Sequence, residues 1–128
     1  MTRRVALVGH GIGYSASPAM HNAAFASLGM GWRYELRDVP AGALTRVVGE
    51  LAGGELQGLN VTQPHKETIL PLLDAVTAEV ERTGAVNTVV RRDGSLVGHN
   101  TDLPALAGEL AALGHFRFAL ILGRGGAA

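Results

Sequence analysis

The sequence contains no cysteine, which excludes disulfide bridges, thiolate metal sites and a secreted scaffold held together by disulfides. A reducing cytoplasm fits that composition. Nor is there an excess of charge of either sign: eleven Lys and Arg stand against eleven Asp and Glu. Net charge therefore gives no reason to expect a nucleic acid or an anionic membrane as partner, and any anionic ligand must be held by local geometry. The N-terminus places basic residues before an apolar run, but Val5-Ala6-Leu7-Val8 is interrupted at Gly9. Four residues are too few for a signal peptide or a membrane span. The histidines at 10, 21, 65, 99 and 115 show no metal-ligand spacing, so no metal site is expected. Internal repeats and low-complexity tracts are absent as well.

What is present suits one compact domain and not two: 128 residues, 47% of them hydrophobic. Val5 to Val8 reads as a buried parallel strand. Ser17-Pro18 reads as a helix start, with Ser17 as N-cap and apolar Met20, Ala24 and Leu28 following at helical spacing. A strand over Trp32 to Leu36, a helix over Ala41 to Leu51 and a buried strand over Leu56 to Val61 come next. After the turn Thr62-Gln63-Pro64, helices are predicted over Lys66 to Leu73 and Ala75 to Arg82, separated at Asp74. Val86 to Arg92 and Leu96 to His99 read as strands joined by Asp93-Gly94, a tight-hairpin dipeptide. Thr101 is placed to cap a last helix through Leu113, with a further buried strand over Phe116 to Leu122. Alternating strands and helices with one antiparallel pair predict an α/β fold: a mixed, mostly parallel open sheet with helices on both faces.

Two strand-to-glycine junctions compete as dinucleotide loops. Gly9-His10-Gly11-Ile12-Gly13-Tyr14 places Tyr14 where the third small residue belongs, and its bulk would block close packing of helix on strand. Gly123-Arg124-Gly125-Gly126-Ala127-Ala128 satisfies the spacing G-x-G-x-x-A and follows an apolar run, so backbone N–H groups there could approach a pyrophosphate. The second loop is therefore the cofactor candidate, through Gly123, Gly125, Gly126 and Ala127.

Four polar segments stand at strand ends or helix starts: Ser15-Ala16-Ser17, Asn60-Val61-Thr62, Asn87-Thr88 and Asn100-Thr101-Asp102. Open α/β sheets bind ligands in the crevice outside their carboxyl ends, so these segments can line one site. Hydroxyl and amide groups suit a polyhydroxylated, carboxylated small molecule, to which Lys66 adds an ammonium and Asp102 a carboxylate. Each residue alone has an ordinary structural use. Ser17 can be a helix cap, Asn60 and Asn87 turn-formers, Lys66 a solvated surface charge and Asp102 a first-turn helix charge. Their joint occurrence is the signal.

Together these residues resemble the shikimate dehydrogenase family. Asn60-Val61-Thr62 with Pro64 and Lys66, then Gly84-Ala85-Val86-Asn87-Thr88, then Gly98 with Asn100-Thr101-Asp102, are similar to three signature blocks of that family, in order. Ser15 and Ser17-Pro18 with His21-Asn22 are similar to a fourth. The resemblance implies that residues 1–114 are a substrate-binding domain with its linking helix, and that residues 115–128 open an NADP-binding domain of Rossmann type. It also implies NADP-dependent interconversion of 3-dehydroshikimate and shikimate. Ser15 and Ser17 would hold the substrate carboxylate, while Asn60, Thr62, Asn87 and Asp102 would hold the ring and its hydroxyls. Lys66 would be the acid/base, oriented by Asp102.

The chain departs from the family pattern at Gly11 and Tyr14, where proline and histidine are usual, and at Leu103-Pro104-Ala105-Leu106, where small glycines are usual. The first departure leaves quinate or aminoshikimate dehydrogenase as an alternative within the class. From a different class, a non-catalytic module binding a cyclitol carboxylate is the alternative. Because the phosphate loop stops at Ala128, the chain as given is expected to bind substrate weakly and to catalyse nothing.

Overall fold

The computed structural model describes residues 1–126. Six strands form one sheet: β1 (Arg3–Gly9), β2 (Trp32–Asp38), β3 (Gly58–Val61), β4 (Ala75–Val76), β5 (Thr88–Arg92) and β6 (Ser95–His99). Five helices accompany them: α1 (Ser17–Ser27), α2 (Leu44–Ala52), α3 (His65–Thr68), α4 (Ala78–Thr83) and α5 (Asp102–Leu113). The strand order is β2-β1-β3-β5-β6-β4. β1 pairs in parallel with β2 and β3, and β4 in parallel with β6, while β5 runs antiparallel to both of its neighbours. The expected mixed, mostly parallel sheet is what forms.

Alternation along β1 decides which helix covers which face. Ala6 and Val8 point into the larger core with Leu44, Val47, Val48 and Leu51 of α2 and Val80 of α4. Leu7 points the other way, to Tyr34, Ile12 and the partly buried Phe25 of α1. The helices therefore lie on both faces, as a period of two in the strand requires. The expected hairpin is also present: Arg92 pairs with Ser95, and Asp93 and Gly94 between them have φ of 51° and 87°. Two positive φ values are what a two-residue turn needs to match the twist of its strands.

Four expectations require correction. The helix read over Lys66 to Leu73 divides into α3 and a 3-10 turn at Leu70–Leu72. Pro71, with no amide hydrogen and a ring that clashes with the preceding turn, cannot lie inside an α-helix. Ala75 and Val76, read as the start of the next helix, form β4, because Asp74 exchanges two bonds with Leu96 and draws the chain against β6. In α1 the partly buried positions are Ser17, Pro18, His21, Asn22 and Phe25, while Met20, Ala24 and, just past the helix, Leu28 face solvent. Asn22 decides this rotation: its amide bonds both the N–H and the carbonyl of Tyr34, capping an edge strand that lacks a neighbour on that side. Finally, Phe116 to Leu122 is an exposed, unpaired segment and not a buried strand. An isolated apolar run cannot satisfy its backbone as a strand without a partner to bond.

The parallel arrangement brings the carboxyl ends of β1, β2, β3 and β6 to one edge, and the reversal of β5 brings its amino end there too. Glycine is required at one point of that edge. A Cβ on Gly9 would sit 2.7 Å from Thr62 Cγ2, 2.9 Å from Ile12 Cγ2 and 3.0 Å from the Gln63 carbonyl oxygen. Replacing it overpacks a junction that includes backbone, so Gly9→Ala is expected to cost about 1–3 kcal/mol. Denaturant unfolding, with the Thr62 methyl signal followed by NMR, checks this. An unchanged midpoint and methyl shift would mean that the junction has room to spare.

Candidate functional site

Lys66 is placed by bonds on both sides of it. After the cis Gln63–Pro64 peptide, the His65 amide donates to the Thr62 carbonyl at 2.9 Å, and Val86 donates to the Lys66 carbonyl at 2.8 Å. His65 is fully buried, and its Nε2 donates to the Val39 carbonyl at 2.8 Å, tying the start of α3 to the loop after β2. The lysine side chain then reaches Asp102, with Nζ 2.6 Å from Oδ2. It is well covered, at 17% exposure against 47% for the carboxylate, so the pair presents its acidic side to solvent. An ion pair this accessible contributes about 0–1 kcal/mol to stability, and its worth lies in fixing where the ammonium sits.

Asp102 opens α5, and the residues before it account for its position. Asn100 is buried. Its amide nitrogen donates to the Ala85 carbonyl at 3.0 Å and to Thr83 Oγ1 at 3.1 Å, and its oxygen accepts the Leu103 amide at 3.0 Å. The cap expected from Thr101 does not form: its hydroxyl is occupied by Asn87 Nδ2 at 2.7 Å, and Asn100 satisfies the helix start instead. Ser17 is corrected in the same way. It is the first residue of α1, not its N-cap, and its amide donates to Ser15 Oγ at 3.2 Å.

The expected site residues fall into three bonded groups. Lys66 and Asp102 form one, beside Gly126, whose Cβ, were one present, would lie 3.0 Å from Lys66 Cβ and 3.4 Å from Ala85 Cβ. Asn60, Thr88, Asn87 and Thr101 form the second, in a continuous row of side-chain bonds. Ser15 and Ser17 form the third, in the loop leaving β1. Thr62 sits between groups, its amide on the Val8 carbonyl. No direct side-chain bond joins these groups among the described residues, and what they share is the sheet edge. A cleft of about 430 Å³ opens there between Thr62, Lys66 and Gly125–Gly126, and a second of about 300 Å³ lies between Asn100, Asp102, Leu106 and the same glycines. Gly123 lies further out with φ of 101°. Ala127, the remaining cofactor candidate, lies outside the described residues.

Sequence reasoning missed Asp38 and Tyr34. Asp38 ends β2 and accepts the amides of Gly11 at 2.8 Å and Ile12 at 3.0 Å, with His10 Nδ1 at 3.2 Å. The Gly11 amide first, then the Ile12 amide and the His10 side chain, hold its carboxyl below the usual range. An acidic residue just past the strand expected over Trp32 to Leu36 was the local signal, but the loop it holds is 27 residues away. Tyr34 lies mid-strand, and its partner Asn60 is 26 residues away, so nothing local announces it.

The fold and edge define a mixed α/β domain whose polar side chains collect where such sheets receive small molecules. Comparison with known proteins makes this specific. The family model for the shikimate dehydrogenase substrate binding domain matches residues 7–89. A shikimate dehydrogenase (NADP(+)) of Moorella thermoacetica is 46% identical over 99% of this chain. Shikimate dehydrogenase 1 of Peptoclostridium difficile superposes on 98% of the chain and 48% of its own, with a TM-score of 0.88 at 33% identity. The shikimate 5-dehydrogenase of Thermus thermophilus, solved with NADP(H) and shikimate, superposes on 88% of this chain and 43% of its own, with a TM-score of 0.78 at 43% identity. The chain belongs to the shikimate dehydrogenase substrate-binding domain family. It spans 44% of the length of the Moorella relative.

The Asp38 clamp has a definite pH dependence. Folding lowers this carboxyl's pKa, so its stabilisation of the serine loop is complete above the ordinary carboxylate range and is lost as pH falls through the lowered value. Amide protection at Gly11 and Ile12 is therefore expected to fall on acidification, and Asp38→Ala is expected to remove it already at neutral pH. Hydrogen exchange measures both. Full protection in the Asp38→Ala variant would take Asp38 out of the loop's support.

Proposed function

We propose that this chain is the substrate half of an NADP-dependent dehydrogenase that interconverts 3-dehydroshikimate and shikimate. In this reading residues 1–114 form the substrate domain with its linking helix, and residues 115–128 begin a nucleotide domain. The observation that carries it is the Lys66–Asp102 pair, 2.6 Å apart, at the edge where the hydroxyl and amide row also ends. Relatives named shikimate dehydrogenase (NADP(+)) over nearly the whole chain support it.

The residues divide the work by their chemistry. Ser15 and Ser17 each carry a hydroxyl that can donate to a carboxylate, in a loop held by Asp38. Asn60, Thr62 and Asn87 offer neutral donors and acceptors for ring hydroxyls. Lys66 Nζ holds the proton that a carbonyl oxygen needs as it becomes an alcohol, and takes it back in the reverse direction. Asp102 accepts from Nζ and so aims the ammonium, and its second oxygen remains to accept from a neighbouring substrate hydroxyl. NADP(H), when bound, supplies or receives the hydride. Gly125 and Gly126 suit a place beside it, because the absence of a side chain at Gly126 already lets the loop touch the Lys66 stem. Gly123 and Ala127 complete the proposed loop.

Gly11 and the exposed Tyr14 give the serine loop a composition unlike the family pattern, and that changed loop carries quinate or aminoshikimate as the second reading for the ligand. Titrating the chain with shikimate and with quinate distinguishes the two by relative affinity. In the polypeptide carrying both halves, Lys66→Ala is expected to lower kcat by about 10²–10⁴ with KM changed far less, since proton transfer is realised only in the transition state. Steady-state kinetics of 3-dehydroshikimate reduction reads this out, and an unaltered kcat would remove Lys66 from the proton transfer.

A further inference from the structure

Tyr34 is buried in β2 with its ring stacked on His21 of α1, ring centroids 4.2 Å apart and planes within 9°. Its hydroxyl crosses to the neighbouring part of the sheet and donates to Asn60 Oδ1 at 2.8 Å. Burial pushes the phenol up to about 12, so it keeps its proton throughout the physiological range. From Asn60 the bonds continue with a consistent sense. Asn60 Nδ2 donates to Thr88 Oγ1 at 3.2 Å and faces the Asn87 carbonyl at 3.5 Å. Thr88 Oγ1 donates to Asn87 Oδ1 at 3.1 Å, which also receives the Thr101 amide at 3.0 Å, and Asn87 Nδ2 donates to Thr101 Oγ1 at 2.7 Å.

The direction of this row is not free. The Asn87 carbonyl can only accept and the Thr101 amide can only donate. A reversed Asn60 amide would set oxygen against the Asn87 carbonyl, and a reversed Asn87 amide would set N–H against the Thr101 N–H. Both amides are therefore held in one orientation, and the Tyr34 proton satisfies the oxygen that this orientation turns toward β2. With both Asn60 hydrogens engaged, the uncommitted valence of that side chain is the second lone pair of Oδ1. Asn87 keeps one free hydrogen on Nδ2.

We infer that Tyr34 is a positioning residue that locks Asn60 as an acceptor, so that Asn60 accepts a hydrogen bond from a ligand hydroxyl while Asn87 donates one to a ligand oxygen. The inference rests on the proposed site for its ligand, but not for the lock. It selects for an alcohol at the Asn60 position over an ether or carbonyl, which has no proton to give.

The test is Tyr34→Phe in the 128-residue chain, which keeps the ring and its stack on His21. The side-chain amide signals of Asn60 and Asn87 are expected to shift, while that of Asn100, bonded to Thr83 and to the backbone of Ala85 and Leu103, stays in place. Shikimate affinity is expected to fall roughly threefold to tenfold, the loss of about one net hydrogen bond. Unmoved Asn60 signals, or equal movement at Asn100, would overturn the lock, the second outcome marking a general structural change. Full shikimate affinity in the variant with a shifted Asn60 would overturn the acceptor role. If wild-type chain fails to bind shikimate, the ligand reading falls separately, because the amide signals decide the lock without ligand.

Discussion

The pairing of Asn60 with Thr88 across β3 and β5 is the contact on which the site depends. It is antiparallel, whereas β1 pairs in parallel on both of its sides, and it brings the amino end of β5 beside the carboxyl end of β3. Asn87 and Thr88 thereby join a rim that other strands reach only with their final residues. Two backbone bonds hold the junction, from Val61 to the Asn87 carbonyl at 2.7 Å and from Asn87 to the His99 carbonyl at 3.0 Å. The tight hairpin at Asp93-Gly94 then returns β6 to the same rim, so that Asn100 to Asp102 emerge beside Asn87. A one-residue slip in this register would send Asn60 to the opposite face of the sheet.

The rim holds its polar groups by different physical means. The amide and hydroxyl row is directional, half-buried from Asn60 to Thr88 and exposed where Asn87 meets Thr101, and each bond constrains the next. The Lys66–Asp102 pair is more open, and its placement comes from the backbone bonds on either side of Lys66 and from the Asn100 staple before Asp102. The serine loop is held through main-chain amides by a single carboxylate, Asp38. A ligand spanning all three groups would meet one preorganised surface assembled from β1, β3, the β5–β6 hairpin and the starts of α3 and α5.

Much of this was legible in the sequence wherever the signal is local. Asp93-Gly94 demanded positive φ and so a hairpin, and the strand-end position of Lys66 and Asp102 pointed to one crevice. Readings failed where a nearby residue or a distant partner overrode the pattern. Pro71 broke a helix that periodicity favoured, and Asp74 drew Ala75-Val76 into the sheet. Asn22, a polar residue, turned α1 so that its apolar Met20 and Leu28 face outward. Phe116 to Leu122 has the composition of a buried strand but pairs with no strand among the described residues.

By itself the sequence determined the alternation of strands and helices, the turn positions and the residue types that a site at the strand ends could use, because each depends on steric and hydrogen-bonding preferences within a few residues. Only the tertiary structure decided which of those residues touch. The bond from Tyr34 to Asn60, the clamp from Asp38 to Gly11 and the approach of Lys66 to Asp102 span 26, 27 and 36 positions of the chain. Contacts across such separations are set by strand order and register, which arise from burying both faces of the sheet together and leave no periodic trace at the residues they join.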